Sequence, residues 1–374
     1  MIYGILLITF AYIILIGLFI FGFDKVAPYY LHALNPRTSF SVVIPFRNES
    51  ENLLRLLNSI DTLVYPKSMF DVILVDDEST DNSIEIIKKF QNKTGFKIRL
   101  INNKRHSNSP KKDAITLAIK QSNFDWIVTT DADCMLPKYW LDSFDAFIQH
   151  NECELIVAPV TFQPNTSFLS KFQALDMLSL QGATIGGFGI NNPFLSNGAN
   201  LAYQKSLFYD LDGYTGNTNI ASGDDVFLLE KALKRNSKQV KYLKCDKAIV
   251  TSFPEGTLKS LIAQRVRWAA KTRNYQSIMG KLTGLVVILM NILIITSILL
   301  LIFNKITINT LLYVLIIKFS IDFLLLFKSA LFFDQKGILR SYFVSFLVYP
   351  FFSTYIAIAS IFGSYKWKGR TFKQ

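Results

Sequence analysis

The middle of the chain is predicted to form an α/β domain with a doubly wound, mostly parallel sheet, and both ends are predicted to form transmembrane helices. Three observations support this fold class. Short β-branched segments alternate with helical patterns between residues 40 and 162, as is typical of a parallel sheet covered by helices. Residues 1–23 carry no charge, and further long apolar stretches lie near the C-terminus. Polar motifs directly follow several predicted strands, where ligands bind in such sheets.

The alternation predicts individual strands and helices. Strands are expected where β-branched and aromatic residues concentrate, over residues 41–46, 72–75, 97–101, 126–130 and 155–160. Helical patterns separate most of them, over residues 51–60, 82–90, 111–121 and 137–149. Two later segments contain glycine, residues 186–189 and 196–200. They are predicted to be loops, either with a backbone that can approach a ligand closely or as ordinary turns.

Four apolar segments are long enough to cross a hydrocarbon core about 30 Å thick. They cover residues 1–23, 282–303, 308–327 and 342–362. A cleavable signal peptide fits the first segment poorly, because no Lys or Arg precedes it and no small-x-small cleavage site follows it. The third segment contains Lys318 and Asp322, whose i, i+4 spacing predicts a pair on one helix face.

Basic residues flank the middle domain beside the apolar segments. The positive-inside rule therefore predicts a cytosolic domain at a bacterial-type inner membrane. The predicted organisation is an anchor and linker over residues 1–36, a cytosolic domain over 37–278 with an interfacial helix near 257–278, and a membrane region over 279–374. The flanking residues are Lys25, Arg37, Lys259, Arg265, Arg267, Lys271, Arg273 and Lys281.

The basic tail at residues 366–370 conflicts with this topology. Four simple spans and a cytosolic middle domain would place the tail on the outer side, against the positive-inside rule. Either Pro350 breaks the last segment into a re-entrant hairpin, or the tail is an exception. The sequence leaves both alternatives open.

Charge and cysteine content exclude several functional classes. The formal net charge is +12, but the basic residues cluster beside apolar segments and no zinc-finger or RNP-like motif is present. Attraction to anionic lipid therefore explains the charge better than nucleic-acid binding does.

Cys134, Cys153 and Cys245 are widely spaced, which indicates neither a disulfide framework nor a zinc site. No Gly-x-Gly-x-x-Gly or Walker A sequence follows the first strand, which argues against a dinucleotide or P-loop enzyme.

Carboxylates end two of the predicted strands. Asp131 and Asp133 follow the fourth strand, and in an extended chain their side chains point to the same side. Two carboxylates and a diphosphate form an oxygen cage suited to Mg²⁺ or Mn²⁺; the alternative is a helix cap or a solvated turn. Asp76 and Asp77 end the second strand. Because residues further along can cap the next helix, at least one of these two is expected to be free for a uracil or ribose.

Two further motifs lie in the second half of the chain. Asp224 and Asp225 begin a helical run, where they either complement the helix macrodipole or supply a base for an acceptor hydroxyl. Gln264, Arg267 and Trp268 have the spacing of one helix face, with Trp suited to an acceptor platform and the two polar residues to a diphosphate or a neighbouring loop. The alternative is an amphipathic interfacial helix, and both interpretations can hold. The apolar stripe of such an interfacial helix would consist of Leu258, Leu261, Ile262 and Val266.

Taken together, these motifs resemble the D, D, D, QxxRW set of family 2 glycosyltransferases, in the same order and spacing over roughly residues 39–273. The resemblance implies a GT-A fold and inverting transfer from a nucleotide sugar, commonly UDP-linked, with a divalent cation. It implies Asp133 as the main metal ligand with Asp131 beside it, and Asp225 as the general base. By position, the nucleotide-binding residues are Pro45, Arg47, Glu49, Asp76 or Asp77, and Lys111, and the remaining catalytic residues are Gln264, Arg267 and Trp268. Pro110 replaces the glycine that precedes this lysine in the family.

The motif set is also similar to ceramide glucosyltransferase-like enzymes and to processive synthases of cellulose, chitin and hyaluronan, which differ in their acceptors. One N-terminal and about three C-terminal spans are few for a polymer channel, so a lipid or another membrane-associated acceptor is favoured. A processive polysaccharide synthase is the alternative. The intact acids argue against a non-catalytic protein that only binds a nucleotide sugar.

Overall fold

A computed structural model describes residues 2–32, 34–220, 222–272, 274–362, 365–367 and 370–372. The chain divides into two compact units. The bundle unit comprises Met1–Val26, Phe162–Leu195 and Pro254–Gln374, and the sheet unit comprises Ala27–Thr161 and Ser196–Phe253. This grouping differs from the predicted division into residues 1–36, 37–278 and 279–374, because residues 162–195 and 254–278 belong to the same unit as the apolar helices.

The sheet unit is built on a mostly parallel sheet. In chain order the strands are β1 (Phe40–Phe46), β2 (Phe70–Asp76), β3 (Lys97–Asn102), β4 (Trp126–Thr129), β5 (Leu155–Val157), β6 (Val160–Phe162), β7 (Leu201–Gln204), β8 (Val240–Tyr242) and β9 (Val250–Ser252). Seven of them form one sheet in the order β3-β2-β1-β4-β7-β5-β8. Only β7 runs antiparallel to its neighbours, β4 and β5. The predicted fold class is therefore confirmed.

Local sequence explains these strands. Val42, Val43 and Ile44 in β1 are fully buried, as expected for a central strand covered on both faces. The first four predicted strands agree with β1 to β4. The fifth, predicted over residues 155–160, is instead divided between β5 and β6 at Pro159, because proline has no N–H to donate to a ladder.

Helices cover the sheet and form the bundle. In chain order they are α1 (Ile2–Lys25), α2 (Leu53–Asp61), α3 (Ser83–Gln91), α4 (Pro110–Gln121), α5 (Trp140–His150), α6 (Phe168–Gly189), α7 (Lys205–Asp210), α8 (Asp224–Asn236), α9 (Leu258–Thr272), α10 (Ile278–Ile302), α11 (Ile308–Phe332) and α12 (Tyr342–Phe362). Helices α2 to α5 correspond to the four predicted helices. Two short strands, β10 (Tyr365–Trp367) and β11 (Arg370–Phe372), pair antiparallel near the C-terminus.

A buried asparagine fixes the loop that precedes β7. The side chain of Asn200 is fully buried and accepts a hydrogen bond from Trp140 Nε1 at 2.9 Å. Its amide nitrogen donates to the carbonyl oxygens of Pro159 and Ala248 at 2.7 and 2.8 Å. Satisfied buried amides of this kind hold a unique backbone position. Residues 196–200 form a loop, as predicted.

The bundle unit contains four helices that are long and apolar enough to cross a membrane. They are α1, α10, α11 and the segment Lys336–Ile361, which includes most of α12. The four predicted apolar segments thus all form helices. Pro350 lies inside α12, which continues through it. The re-entrant hairpin considered for the last segment is therefore wrong.

Glycines in α6 allow a close helix contact with α1. A Cβ atom added at Gly189 would lie 1.8 Å from the carbonyl oxygen of Gly22, and one at Gly186 would lie 2.5 Å from that of Phe19. The prediction that residues 186–189 form a loop is wrong, since they end α6. Small residues let two helix backbones approach, as in membrane helix pairs, and this contact outweighs the low helix propensity of glycine.

An ion pair within α11 also binds a residue of α1 inside the bundle unit. Lys318 pairs with Asp322, as the spacing predicted, and is 2% exposed. Tyr12 from α1 donates its hydroxyl to the same carboxylate at 2.6 Å. The aromatic rings of Tyr12 and Phe346 lie 5.2 and 5.5 Å from the ammonium. Because each charge has a partner, the pair is tolerated within a span.

Removing one member of this pair should cost more than removing both. Loss of one partner of a buried ion pair typically costs about 3–5 kcal/mol, whereas an apolar replacement of both is often neutral. We expect Asp322→Ala to lower the Tm of the detergent-solubilised protein, and the double variant Lys318→Met/Asp322→Leu to recover most of that loss. A double variant no more stable than Asp322→Ala would contradict this account of the pair.

Candidate active site

Two loops at the carboxyl ends of β1 and β2 are joined by reciprocal hydrogen bonds. The Asn48 N–H donates to Ser79 Oγ at 2.9 Å, and the Thr80 N–H donates to Asn48 Oδ1 at 2.8 Å. The Ser50 N–H donates to Asp81 Oδ2 at 2.9 Å. Asn48 has a φ of 51°, a left-handed conformation that Asn tolerates better than most residues. The loops therefore form one rigid edge of the predicted ligand crevice.

Arginine residues surround this edge. Arg47 Nη1 donates to the carbonyl oxygens of Asp77 and Glu78 at 2.5 and 2.8 Å. Arg105 Nε donates to Asp77 Oδ1 at 2.7 Å, and Arg105 also pairs with Glu78. Asn103 Nδ2 donates to the same Asp77 oxygen at 2.9 Å. The buried Asp77 carboxylate is thus held by side chains that follow β3.

Asp76 and Asp77 each accept hydrogen bonds from the protein, and the contact of one of them with a uracil or ribose stays a prediction. Asp76 Oδ1 accepts the Ser79 N–H at 3.0 Å, which closes the turn after β2, and Asp77 binds Asn103 and Arg105. Asn103 and Arg105 are not among the residues predicted for the site. Residues 102 and 103 are both Asn at the end of β3, and this polar strand end was the signal for them.

The other two residues predicted for the nucleotide loop lie at the end of β1. Pro45 pairs with Val75 of β2 in the parallel ladder. A residue without an N–H group therefore lies next to the last residue of β1. Glu49 Oε2 accepts a hydrogen bond from Asn52 Nδ2 at 2.7 Å. Both residues occupy the carboxyl edge of the sheet, as predicted.

Lys111 connects two acidic motifs that are distant in the sequence. Its ammonium lies 2.8 Å from Asp131 Oδ1 and 3.2 Å from Asp224 Oδ2. Pro110 is the first residue of α4, a favourable position for proline, and it directs the next residue to this edge. Burial opposes the charged ammonium, but the Asp131 and Asp224 carboxylates outweigh it and raise the pKa of Lys111 above its usual range.

Asp131 and Asp133 lie on a turn, and not on the extended chain that was predicted. Strand β4 ends at Thr129, and the Cys134 N–H donates to the carbonyl oxygen of Asp131 at 3.2 Å. The Cys134 thiol lies 3.6 Å from Asp133 Oδ1. The alternation of side chains along a strand therefore does not fix the directions of these two carboxylates.

Asp225 is held by backbone donors at the start of α8. Its two carboxylate oxygens accept the N–H groups of Val226 at 2.8 Å and Gly198 at 3.2 Å. A Cβ atom at Gly198 would lie 2.8 Å from Asp224 Oδ2, so a side chain at this position would require the Asp224 carboxylate to move. Gly223 has a φ of 85°, which lets the chain turn into α8. Both acids lie in the first helical turn, where they complement the macrodipole, and Asp224 also pairs with Lys111.

Lys112 is a second lysine that the sequence analysis did not select. It is 1% exposed and donates to the carbonyl oxygens of Asn217 and Ile220 at 2.7 and 2.8 Å. Its ammonium lies 4.8 Å from the ring centroid of Phe227 in α8. Lys112 thereby holds the segment that leads to Gly223. Two adjacent lysines at a helix start were the available signal.

Gln264, Arg267 and Trp268 lie on α9 of the bundle unit. Gln264 Nε2 donates to Glu255 Oε1 at 3.0 Å, so this amide orders a neighbouring loop. The apolar face of α9 packs on α12 through Ile262 and Val266. The predicted motif and the predicted apolar stripe thus coexist on one helix, although Leu258 of the stripe is exposed.

Asp131 and Asp133 fit a divalent cation by the number and kind of their donor atoms. The Asp131 side chain is 36% exposed and lies at the ligand-binding edge of the sheet. Among the described residues, no group of three His, Cys, Asp or Glu side chains could hold a metal ion alone. A cation here would take its other ligands from diphosphate and water oxygens, as Mg²⁺ does in phosphate-transfer sites.

Residues 41–211 match the model of a family described as glycosyl transferase family 2. The chain carries a family 2 glycosyltransferase domain. This confirms the family that the four motifs indicated. The matched range includes the loops after β1 and β2, Lys111 and Asp131, so the family 2 domain covers most of the site described above.

Curated relatives share this domain. The chain is 31% identical over 118 residues to poly(ribitol-phosphate) beta-N-acetylglucosaminyltransferase TarS of Staphylococcus aureus, covering 32% of the chain and 20% of TarS. It is 26% identical over 234 residues to poly-beta-1,6-N-acetyl-D-glucosamine synthase of Staphylococcus epidermidis, covering 61% of the chain and 53% of that synthase. The chain thus spans a fifth to about half of the length of these relatives.

A solved structure shares the fold over nearly the whole chain. The mannosyltransferase PcManGT from Pyrobaculum calidifontis, solved in complex with GDP-Man and Mn²⁺, superposes with a TM-score of 0.57 at 14% identity. The match covers 96% of this chain and 98% of PcManGT. The GT-A fold of the family 2 domain, with its flanking apolar helices, is therefore confirmed.

Proposed function

We propose that the protein is an inverting glycosyltransferase that moves a sugar from a nucleotide diphosphate sugar, UDP-linked, to a lipid acceptor at the membrane surface. The observation that carries the proposal is the cluster in the sheet unit, where Lys111 joins Asp131 to Asp224. The cluster brings a candidate cation site next to the candidate base at the ligand-binding edge of a family 2 domain.

The loops after β1 and β2 support binding of the nucleotide. Asp77 lies directly after β2 and is bound by Asn103 and Arg105, and we propose that its carboxylate contacts the uracil or ribose of the donor. The guanidinium groups of Arg47 and Arg105 lie beside Asp77, and guanidinium suits diphosphate oxygens. The names of both curated relatives contain N-acetylglucosamine. We therefore expect UDP-N-acetylglucosamine to be the first donor to test.

The proposed reaction is a single displacement with inversion at C1 of the sugar. The acceptor hydroxyl passes its proton to the Asp225 carboxylate while its oxygen forms a bond to C1. The bond between C1 and the diphosphate oxygen breaks, and the nucleoside diphosphate leaves with the electron pair. The N–H groups of Gly198 and Val226 orient Asp225 for this role.

Positive charge around the leaving group supports departure of the diphosphate. Asp131 and Asp133 would hold a Mg²⁺ or Mn²⁺ ion, which when bound neutralises developing negative charge on the diphosphate. Lys111 supplies a fixed ammonium within 2.8 Å of Asp131. Arg267 on α9 is proposed to stabilise the leaving diphosphate, and Trp268 to contact the acceptor.

A membrane location supports a lipid acceptor. Four helices of the bundle unit are apolar and long enough to span a bilayer, and α9 lies just before the second of them. We propose that the sheet unit faces the cytosol at a bacterial-type inner membrane, consistent with the basic residues that flank it.

A processive polysaccharide synthase is the second candidate. The observation that favours it is the similarity to poly-beta-1,6-N-acetyl-D-glucosamine synthase over 61% of the chain. The two candidates share the donor site and the base, and they differ in product length.

Replacing the proposed base should abolish turnover and leave donor binding intact. Because Asp225→Asn removes the proton acceptor, we expect kcat for UDP release to fall about 10²- to 10⁴-fold, with an unchanged Kd for the UDP-sugar by calorimetry. Asp210→Asn is a matched control, since it breaks an exposed pair with Arg235 outside the site, and it should retain full activity. Intact turnover of Asp225→Asn would exclude this residue as the base.

Product size separates the two candidate functions. Membranes that contain the protein are incubated with a panel of radiolabelled UDP-sugars, total membrane lipid and Mn²⁺ or Mg²⁺. We expect one added sugar on a product that extracts into organic solvent. A labelled polymer that stays in the aqueous phase and elutes at high mass would instead establish the synthase.

A further inference from the structure

Helix α6 carries two buried polar side chains one turn apart. Gln173 is fully buried and Asp176 is 8% exposed, and their i, i+3 spacing places them on the same face. Asp176 is the only acidic residue in α6. Neither residue belongs to a motif recognised in the sequence, so their burial requires a structural explanation.

Both side chains bind the segment that carries the Gln264 motif. Gln173 Nε2 donates to the carbonyl oxygen of Glu255 at 2.9 Å, and the Glu255 N–H donates back to Gln173 Oε1 at 2.8 Å. Asp176 Oδ2 accepts from Arg265 Nε at 2.7 Å, with both side chains 7% exposed. Helix α6 thus holds the start of this segment and the middle of α9 at the same time.

The contacts close into a ring that includes the motif itself. Gln264 donates to the Glu255 carboxylate at 3.0 Å and accepts from Arg265 Nη1. Both ends of the Gln264 amide are therefore oriented. The Arg265 guanidinium carbon lies 4.2 Å from the ring centroid of Trp268, within range of a cation–π contact. The Gln264 amide and the Trp268 ring thus both contact Arg265, which Asp176 holds in turn.

Helix α9 also packs on α12 through small and branched apolar side chains such as Val266 and Ala269. Apolar packing is non-directional, whereas the hydrogen bonds of Asp176 and Gln173 have a preferred geometry and fix particular atoms. A buried ion pair is a poor source of stability compared with apolar packing, and fixing a register is its best-attested use.

We infer that Asp176 and Gln173 are positioning residues, which act through Arg265 and Glu255 to set the orientation of Gln264, Arg267 and Trp268. This inference rests on the proposed function, because it assigns importance to a motif that the proposed transfer uses. It predicts that the ring matters for turnover and not for donor binding in the sheet unit.

An apolar double variant tests the inference without leaving a buried charge. Asp176→Leu/Arg265→Met replaces the pair by side chains of similar size, so the protein should remain folded. With the motif misoriented, we expect kcat for sugar transfer to fall about 10- to 100-fold, and the Kd for the UDP-sugar to stay unchanged. Hydrogen exchange at residues 254–268 should increase in the full-length protein. Asp176→Glu, which keeps the charge, should recover part of the turnover.

Asp71→Asn is the matched control. It disturbs another buried Asp–Arg pair, in which Arg99 Nη2 lies 2.7 Å from Asp71 Oδ2. Asp71 lies near the start of β2, away from the candidate site at the end of that strand, and the variant should keep the wild-type kcat.

Turnover at the wild-type rate in the double variant would overturn the inference and leave the proposed function intact. Loss of the folded fraction in the double variant would also overturn it, because the pair would then serve global folding. Absence of turnover in the wild type with every UDP-sugar would overturn the proposed function itself.

Discussion

The ion pairs of the Lys111 ammonium are the interactions on which the candidate site depends. The ammonium lies between the carboxylates of Asp131 and Asp224. Asp131 follows β4, whereas Asp224 begins α8, and the two acids belong to different motifs. Without a cation at this point, two buried or half-buried negative charges would repel each other across the crevice. The ammonium between the two acids offsets this repulsion, so the acids can lie close together. The Gly198 backbone lies beside the same cluster, where a side chain would require the Asp224 carboxylate to move.

A different constraint shapes the bundle unit. Its helices carry few charges, so backbone proximity and a few satisfied polar contacts determine their arrangement. Gly186 and Gly189 allow α6 to touch α1, the Lys318–Asp322 pair binds Tyr12 of α1, and Asp176 binds Arg265 of α9. Helix α6 therefore contacts both the first helix and the motif-bearing helix. These contacts link α6 to the motif-bearing helix, although no residue in α6 belongs to a recognised motif.

Local patterns predicted the strands and apolar helices well, because alternation of buried segments and long uncharged runs are local signals. They failed where contacts with distant residues decide the outcome. The glycines at residues 186–189 favour loops in isolation, yet their contact with α1 makes them helical. The Asp131 turn depends on a backbone hydrogen bond that no spacing rule encodes. Arg105 and Asp77 are distant in the sequence and come together only through the pairing of β2 with β3.

The central claim is that Lys111 and Asp224 form part of a single donor site, and a double-mutant cycle on UDP-sugar affinity tests it most directly. The Kd would be measured by calorimetry with Mn²⁺ for the wild type, Lys111→Met, Asp224→Asn and the double variant. Direct partners should show non-additive effects, with a coupling energy above about 0.5 kcal/mol. Additive effects within that limit, or no binding of any UDP-sugar by the wild type, would contradict the account.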